Sequence, residues 1–208
     1  MQHKSDKYPH AHDVLPSDPA LRVKALETLL TNKGLIDPAA LDAIIEIYEN
    51  KIGPKNGASV VARAWSDPIF YKSLFSNATE TVAGMGFYGR QGEHITALQN
   101  SSEVHNIVVC SLCSCYPWPL LGIPPSWYKS DAYRARTVRE PRKVLAEFGI
   151  TLQSETSIQV WDSTAEMRYI VIPERPNGTD GWSVEKLSAL VTRDSMIGTG
   201  SVSYTHLR

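Results

Sequence analysis

The sequence has few cysteines, almost no net charge and no long apolar run. Its 208 residues include only 3 cysteines, all inside one six-residue stretch, which cannot form the disulfide framework of a small secreted protein. The 21 basic and 22 acidic side chains nearly cancel, so no overall field attracts nucleic acid or an anionic membrane. We therefore expect no nucleic-acid or membrane partner, and a ligand that is small and uncharged.

Apolar targeting segments are also missing. Residues 1–17 are polar and lack the apolar core of a signal peptide, and no later run approaches the ~18 apolar residues of a membrane-spanning helix. We predict a cytoplasmic protein with a flexible tail at residues 1–17. With 42% hydrophobic residues, the chain can still bury a core.

Helix starts are frequent in the first third of the chain. Asp18-Pro19, Asp37-Pro38 and Asp67-Pro68 each place an N-capping carboxylate before a proline suited to the first helical position. The apolar spacing predicts short amphipathic helices over residues 18–78. Such helices resemble an arm that buries its apolar faces on something larger, for example another subunit.

Strands and helices follow on both sides of the cysteines. Strands are predicted at 93–99 and 106–109, and helices at 132–138 and 142–148. Residues 157–161 and 168–172 are predicted to form a β-hairpin, and Ser183 to cap the last helix. The cysteine run begins where the second strand ends and leads into a stiff, proline-rich loop.

The run from Cys110 to Cys115 has the donors and the spacing of a transition-metal site. Metal binding deprotonates thiols, and thiolates favour late or readily oxidised transition metals over magnesium or calcium. The sulfurs of Cys113 and Cys115 and the backbone nitrogens of Ser114 and Cys115 can surround an ion in one plane, once both nitrogens are deprotonated. Cys110 can add an axial sulfur and leave a sixth position open for chemistry.

These anionic donors would stabilise a trivalent ion, which acts as a Lewis acid on water or on an unsaturated nitrogen group. Hydration of a polar triple bond fits that description. Thiolates at such a centre can also be oxidised to sulfenic and sulfinic acids, whose oxygens act as bases or nucleophiles.

A structural zinc site explains the cysteine spacing about as well. It needs a fourth ligand, for which His94 and His105 are candidates, and the chain would then be a zinc-stabilised interaction module without catalysis. A thioredoxin-like redox role fits less well, because no helix opens at the cysteines.

The residues around the cysteines resemble a known family. Cys110-Ser111-Leu112-Cys113-Ser114-Cys115, followed by Tyr116-Pro117-Trp118-Pro119, closely resembles the metal-binding segment of nitrile hydratase α subunits. Further similar segments lie at residues 56–57, 62–65, 91–93, 121–130, 133–136, 139–145, 168–169, 175–182 and 197–198. The resemblance therefore covers about residues 20–200.

The resemblance implies an α/β (α+β) fold, with a helical N-terminal arm at 18–78 and a layered α-β-β-α metal-binding domain at 79–200. Residues 201–208 match no family ending and are expected to form an atypical tail. The family hydrates nitriles to amides, and the resemblance implies activity only with a different β subunit, as αβ or α2β2. An activator protein, or metallochaperone, is expected to load the metal.

The same resemblance assigns the metal ligands. They are the sulfurs of Cys110, Cys113 and Cys115 and the backbone nitrogens of Ser114 and Cys115, around one low-spin Co(III) or Fe(III) ion. Cys113 is expected as the sulfinic acid and Cys115 as the sulfenic acid. Cys115 is then the candidate nucleophile or base, with a metal-activated water as the alternative.

Two further residues are assigned to the substrate pocket. Gln91 is expected to orient water or substrate, with an ordinary turn residue as the alternative. Trp118 is expected to line the pocket, with core packing as the alternative. Arg134 and the basic residues around it are expected on a solvated or subunit-facing helix, with electrostatic support of an anionic metal centre as an added role.

The resemblance leaves the metal and the substrate open. Ser111 is typical of iron-binding members and Tyr116 of cobalt-binding members, while residues 91–94 and 104–106 look more cobalt-like, so we expect cobalt. Thiocyanate hydrolase is the rival enzyme, because its metal subunit shares the cysteine segment. Trp118 favours nitriles, since that family tends to have a basic residue there.

Overall fold

The computed structural model describes residues 18–47, 52–89, 92–113 and 115–202. Gln91 and Ser114, two of the predicted site residues, therefore lie outside the described residues. So do the predicted tail at 1–17 and residues 203–208 of the predicted tail at 201–208. The chain divides into two units, Met1–Ile45 and Glu46–Arg208.

The first unit carries helices α1 (Asp18–Asn32) and α2 (Pro38–Glu46). Both begin at a predicted Asp-Pro pair, and Asp37 accepts a hydrogen bond from the Ala39 backbone N–H at 2.9 Å. Leu26 and Leu29 of α1 are about half exposed, at 56% and 51%. The sequence-based prediction of helices that begin at these two Asp-Pro pairs is confirmed.

The second unit contains seven α-helices, one 3-10 helix and four strands among its described residues. In chain order they are α3 (Pro54–Ser66), α4 (Pro68–Ser76), α5 (Ala78–Ala83), β1 (Ile95–Gln99), β2 (Val104–Val109), α6 (Trp118–Leu121), a 3-10 helix (Ser126–Lys129), α7 (Asp131–Arg139), α8 (Pro141–Glu147), β3 (Ser157–Asp162), β4 (Arg168–Ile172) and α9 (Val184–Ser188). Among the described helices, none is long and apolar enough to cross a membrane.

Helices α3 to α5 pack with the strands of the second unit. Asp67 caps α4 by accepting hydrogen bonds from the backbone N–H groups of Ile69 and Phe70. α3 packs against α6 and α9, and both α4 and α5 contact β1. The boundary at residue 78 between a helical arm and a metal-binding domain stays a prediction.

The strands form two parallel pairs. β1 pairs with β4, and β2 pairs with β3 with Val109 opposite Asp162. The predicted hairpin of 157–161 with 168–172 is wrong, because these strands belong to different sheets. Parallel pairing needs a long crossover, which α6 to α8 provide between β2 and β3, whereas the short connection at 163–167 passes from one sheet to the other.

A buried turn near the C-terminus joins the two sheets. The backbone N–H of Val171 in β4 donates to Met196, and that of Val108 in β2 donates to Ile197, both at 2.9 Å. Met196 and Ile197 are almost fully buried. The mixed α and β class is confirmed, and the layered α-β-β-α order stays a prediction.

Candidate metal centre

The cysteine run leaves the carboxyl end of β2, which is where parallel strands commonly place their sites. Cys110 directly follows Val109 and is only 1% exposed. The end of β2 is fixed from two sides: Tyr133 Oη donates to the Val108 carbonyl at 2.7 Å, and the Ser163 N–H donates to the Val109 carbonyl at 2.7 Å. The first thiol therefore starts from a rigid, buried position.

The three sulfurs lie together. Cys110 Sγ is 3.3 Å from Cys113 Sγ, which is 3.1 Å from Cys115 Sγ, and all three sulfurs lie within 4.8 Å of one another. Two sulfurs at about 2.3 Å from one ion are about 3.3 Å apart at a right angle and about 3.8 Å apart at a tetrahedral angle. These two separations are close to the right-angle value, which an octahedral or square-planar site would need for neighbouring sulfurs.

No histidine or carboxylate joins this group. Among the described His, Cys, Asp and Glu side chains, the cluster that could hold a metal consists of the three cysteines. His105 lies instead in a buried network, with its Nε2 2.7 Å from the Gly198 carbonyl and its Nδ1 3.3 Å from Asn100 Nδ2. Because both ring nitrogens are occupied, His105 is wrong as a fourth zinc ligand; His94 is also outside the cluster.

Asp162 holds the first residue between the cysteines. Its Oδ1 accepts a hydrogen bond from the Ser111 backbone N–H at 2.8 Å, and its Oδ2 accepts one from the Ser111 hydroxyl. Asp162 ends β3, in register with the residue before Cys110. The pairing of β3 with β2 thus places a carboxylate where the cysteine loop begins.

Two further side chains hold loop carbonyls. Arg134 Nη1 of α7 donates to the Cys113 carbonyl at 3.3 Å, and Tyr128 Oη of the 3-10 helix donates to the Cys115 carbonyl at 3.0 Å. Residues 111, 113 and 115 are thereby each fixed by a side chain from a different element. The loop is held by the fold rather than by the cysteines alone.

The three thiols differ in exposure, which is highest at Cys113. Cys110 is buried, Cys113 is exposed and Cys115 is half-buried. Burial, followed by the neighbouring thiols of Cys113 and Cys110, raises the pKa of Cys115 to about 12. A bound cation reverses this effect, because metal coordination deprotonates a thiol outright. The sulfur set is therefore suited to a highly charged ion.

The positions of Trp118 and of Gly92, the neighbour of Gln91 in the chain, show where the two predicted pocket residues belong in the fold. Trp118 is the first residue of α6 and packs partly buried against the hydrophobic core, as its core-packing alternative predicted. Gly92, which follows Gln91 in the chain, lies so close to α6 that a Cβ on it would stand 2.8 Å from Pro119 Cγ. The chain next to Gln91 is thus beside the helix that Trp118 begins.

An open hollow adjoins the cysteine loop. It has a volume of about 490 Å³ and is lined by Ser111, Asp131, Arg134, Ala135, Val138 and Arg139. A larger hollow of about 730 Å³ lies along α4 and α5. Neither hollow is lined by a cysteine, but the smaller one is lined by Ser111, which lies between Cys110 and Cys113 in the cysteine loop.

A family model for the nitrile hydratase α chain matches residues 17–200, which include the whole cysteine segment. The chain belongs to this family. The family resemblance is thereby confirmed, and the matched residues include the three clustered thiols, which could hold a metal ion.

Curated relatives support the assignment. The chain is 56% identical over 181 residues to the α subunit of the high-molecular-weight cobalt-containing nitrile hydratase of Rhodococcus rhodochrous, covering 86% of this chain and 89% of the relative. It is 53% identical over 178 residues to the α subunit of the cobalt-containing enzyme of Pseudonocardia thermophila, covering 85% and 87%. The thiocyanate hydrolase γ subunit of Thiobacillus thioparus is 41% identical over 193 residues, covering 88% and 79%.

Solved structures share the fold. A chain of a mutant Fe-type nitrile hydratase from Comamonas testosteroni Ni1 superposes with a TM-score of 0.82 at 39% identity, covering 90% of this chain and 91% of that one. A recombinant thiocyanate hydrolase with partially modified cobalt centres gives 0.78 at 39% identity, covering 91% and 92%.

Three residues that fix the loop were not identified from the sequence. Asp162 and Tyr128 contact the loop directly, and Tyr133 holds the strand that precedes it. Asp162 carried a usable signal, because a polar residue at the carboxyl end of a parallel strand is a common site residue. The incorrect hairpin pairing of β3 concealed it.

Proposed function

We propose that this family member is the metal-carrying α subunit of a nitrile hydratase and adds water to nitriles to give amides. The observation that supports this most strongly is the set of three thiols within 4.8 Å of one another at the end of β2, with separations that suit right-angle coordination. In the reaction, the oxygen of water becomes bonded to the nitrile carbon, and both protons of water end on the nitrogen of the amide.

The chain would hold one trivalent ion through the sulfurs of Cys110, Cys113 and Cys115 and the backbone nitrogens of Ser114 and Cys115. When bound, the ion supplies Lewis-acid chemistry toward water or the nitrile. Cys113 is proposed as a sulfinic acid and Cys115 as a sulfenic acid. These acidic groups are ionised acceptors, so they accept the proton of a water molecule or position it toward the nitrile carbon.

Other residues would select and orient the substrate. The amide of Gln91 can donate to and accept from a water molecule, which fixes the direction of its lone pairs. Trp118 offers an apolar ring, against which the organic part of a nitrile can pack. Each of these roles adds to the assignment of the cysteine site, and that assignment stands even if either role is disproved.

Cobalt is the metal we propose. Two relatives, at 56% and 53% identity, are named as cobalt-containing, whereas the iron-type structure is 39% identical. The Ser111 hydroxyl, which the resemblance linked to iron, donates to Asp162. Ser111 is thus occupied in supporting the loop, and its presence gives no separate reason to choose iron.

A β subunit would complete the enzyme as αβ or α2β2, after an activator protein has loaded the metal. Belonging to an α-chain family supports the need for a partner. The exposure of Cys113 and of Leu112, which is 89% exposed, shows that the loop is open on one side in the isolated chain. A partner that covers this side would exclude bulk water from the reaction.

The test is to produce the full chain with a β subunit from the same source in medium containing cobalt and iron salts. We expect about one cobalt per α chain, and a cysteine peptide that carries two added oxygens on Cys113 and one on Cys115. The complex should convert a simple nitrile to its amide, and a Cys115→Ser complex made in parallel should not.

Three results would contradict the proposal. Tightly bound zinc with unoxidised cysteines would favour the structural zinc module. Hydrolysis of thiocyanate without nitrile hydration would favour the thiocyanate hydrolase alternative, which the Thiobacillus relative makes a reasonable second candidate. Full activity of the purified chain without any partner would refute the requirement for a β subunit.

A further inference from the structure

Arg134 differs from the other residues that hold the cysteine loop. Its Nη1 donates to the Cys113 carbonyl at 3.3 Å, while its Nη2 pairs with Asp131 three residues earlier in α7. The Arg134 side chain is only 20% exposed, whereas that of Asp131 is 95% exposed. Water therefore screens the carboxylate strongly, and much of the guanidinium charge stays directed at the loop.

The carbonyl that Arg134 contacts belongs to the peptide unit of Cys113 and Ser114, whose nitrogen is a proposed metal ligand. In a peptide bond, the nitrogen shares its electrons with the carbonyl oxygen of the preceding residue. The Ser114 nitrogen, a proposed metal ligand, is therefore joined electronically to the oxygen of Cys113. When that nitrogen binds the metal as an anion, part of its negative charge lies on the oxygen that Arg134 touches.

The other two loop contacts do not have this property. Asp162 accepts from the N–H of Ser111, and Tyr128 donates to the carbonyl of Cys115, whose peptide partner is the nitrogen of Tyr116. Neither of those peptide nitrogens is a proposed ligand. Among the described contacts to the loop, only that of Arg134 is made to a peptide unit proposed to bind the metal.

We propose that Arg134 is a positioning residue for the metal: its guanidinium balances the negative charge that the Cys113–Ser114 peptide unit carries as a ligand. This inference rests on the proposed function, because it assumes that the Ser114 nitrogen is a ligand. Hydrogen bonds to ionised groups are shorter and about twice as strong as neutral ones. The contact, now at 3.3 Å, therefore strengthens when the metal is bound and favours retention of the metal.

The test compares αβ complexes that contain Arg134→Gln, Arg134→Lys and the control Arg139→Gln. Arg139 lines the same hollow, but its described hydrogen bond goes to the carbonyl of Ala135 in its own helix. Three quantities are measured: cobalt per α chain, the rate of cobalt loss to an excess of chelator, and the position of the thiolate-to-cobalt absorption band. None of them depends on turnover.

We expect Arg134→Gln to lose cobalt about tenfold faster than the wild type, the factor that corresponds to one charge-assisted hydrogen bond. Its absorption band should shift, because the donor strength of the peptide unit changes. Arg134→Lys keeps the charge but loses the planar guanidinium, so its rate of cobalt loss should lie between those of the wild type and Arg134→Gln. Arg139→Gln should match the wild type in rate and in band position.

The outcomes distinguish a failure of the proposed function from a failure of the role of Arg134. A wild-type complex that holds neither cobalt nor iron at the cysteines would refute the proposed function itself. A normally loaded wild type with an Arg134→Gln complex of the same rate and band would overturn only the role of Arg134, as would an equal effect of Arg139→Gln. If Arg134→Gln does not assemble, Arg134→Lys decides: a wild-type rate and band there would overturn the inference.

Discussion

Gly198 provides the sharpest test of how the fold supports the cysteine strand. Its φ is +89°, and a Cβ at this position would lie 2.0 Å from the Asn106 carbonyl oxygen and 2.9 Å from Ile107 Cα. Both neighbours are backbone atoms of β2, the strand that ends at Cys110. A Gly198→Ala substitution must therefore displace either the strand or the buried turn that carries residue 198.

The cost can be estimated from the contacts that would be lost. The positive φ alone costs an alanine about 1–2 kcal/mol. Displacement of the turn weakens two buried hydrogen bonds, from Val108 N–H to the Ile197 carbonyl and from His105 Nε2 to the Gly198 carbonyl, at about 1–3 kcal/mol each. The total is about 3–8 kcal/mol, which lowers the melting temperature by at least about 6 °C in a chain of this size.

Thermal unfolding of the αβ complex, followed by circular dichroism at fixed concentration, measures this cost. Gly149→Ala and Gly178→Ala are matched controls, because their φ values are +80° and +76° and a Cβ at either position meets nothing within 4 Å. These controls should show only the cost of the backbone strain, about 1–2 kcal/mol, and their melting temperature should fall by about 2–8 °C. A Gly198→Ala complex no less stable than these controls would refute the steric argument.

Three further predictions concern the loop and its strand. Asp162→Asn should speed cobalt loss about five- to tenfold, because its hydrogen bonds to Ser111 are weaker. The melting temperature should stay nearly unchanged, because the contact is exposed, and a fall of several degrees in it would contradict this prediction. Tyr128→Phe should lower the stability by about 1–2 kcal/mol, measured by thermal unfolding, because the buried hydroxyl no longer donates to Cys115. Burial lowers the pKa of His105 below its ordinary 6.5, so this residue stabilises the fold above pH 6.5 and loses that effect as the pH falls through the lowered pKa. His105→Gln should flatten the fall in melting temperature below pH 6.5, and an unchanged slope would contradict the assignment.

The features that the sequence predicted correctly depend on neighbouring residues. Asp67 caps α4, and Ser183 caps α9 by accepting from the Lys186 N–H, as their positions before the helices indicated. The three cysteines lie within six residues, so their side chains can meet without knowledge of the fold. Local spacing was sufficient in each of these cases.

The features that the sequence did not reveal depend on distant residues. Asp162 lies 51 residues after Ser111, and their contact requires that β3 pair in parallel with β2. Strand alternation in 157–161 is the same for a hairpin and for a parallel pair, so the pattern could not choose between them. The true pairing follows from the long helical crossover, which brings β3 back beside the strand that carries Cys110.

The two residues that suggested different metals illustrate the same limit. The Ser111 hydroxyl donates to Asp162, and a threonine could donate in the same way. Tyr116 is 1% exposed and packs edge-on against Tyr128, and burial raises its pKa well above the ordinary range. Within the described part of the chain, neither hydroxyl has a cysteine sulfur as a hydrogen-bond partner. Both residues act on the shape and surroundings of the loop, so the case for cobalt depends on similarity along the whole chain rather than on either side chain.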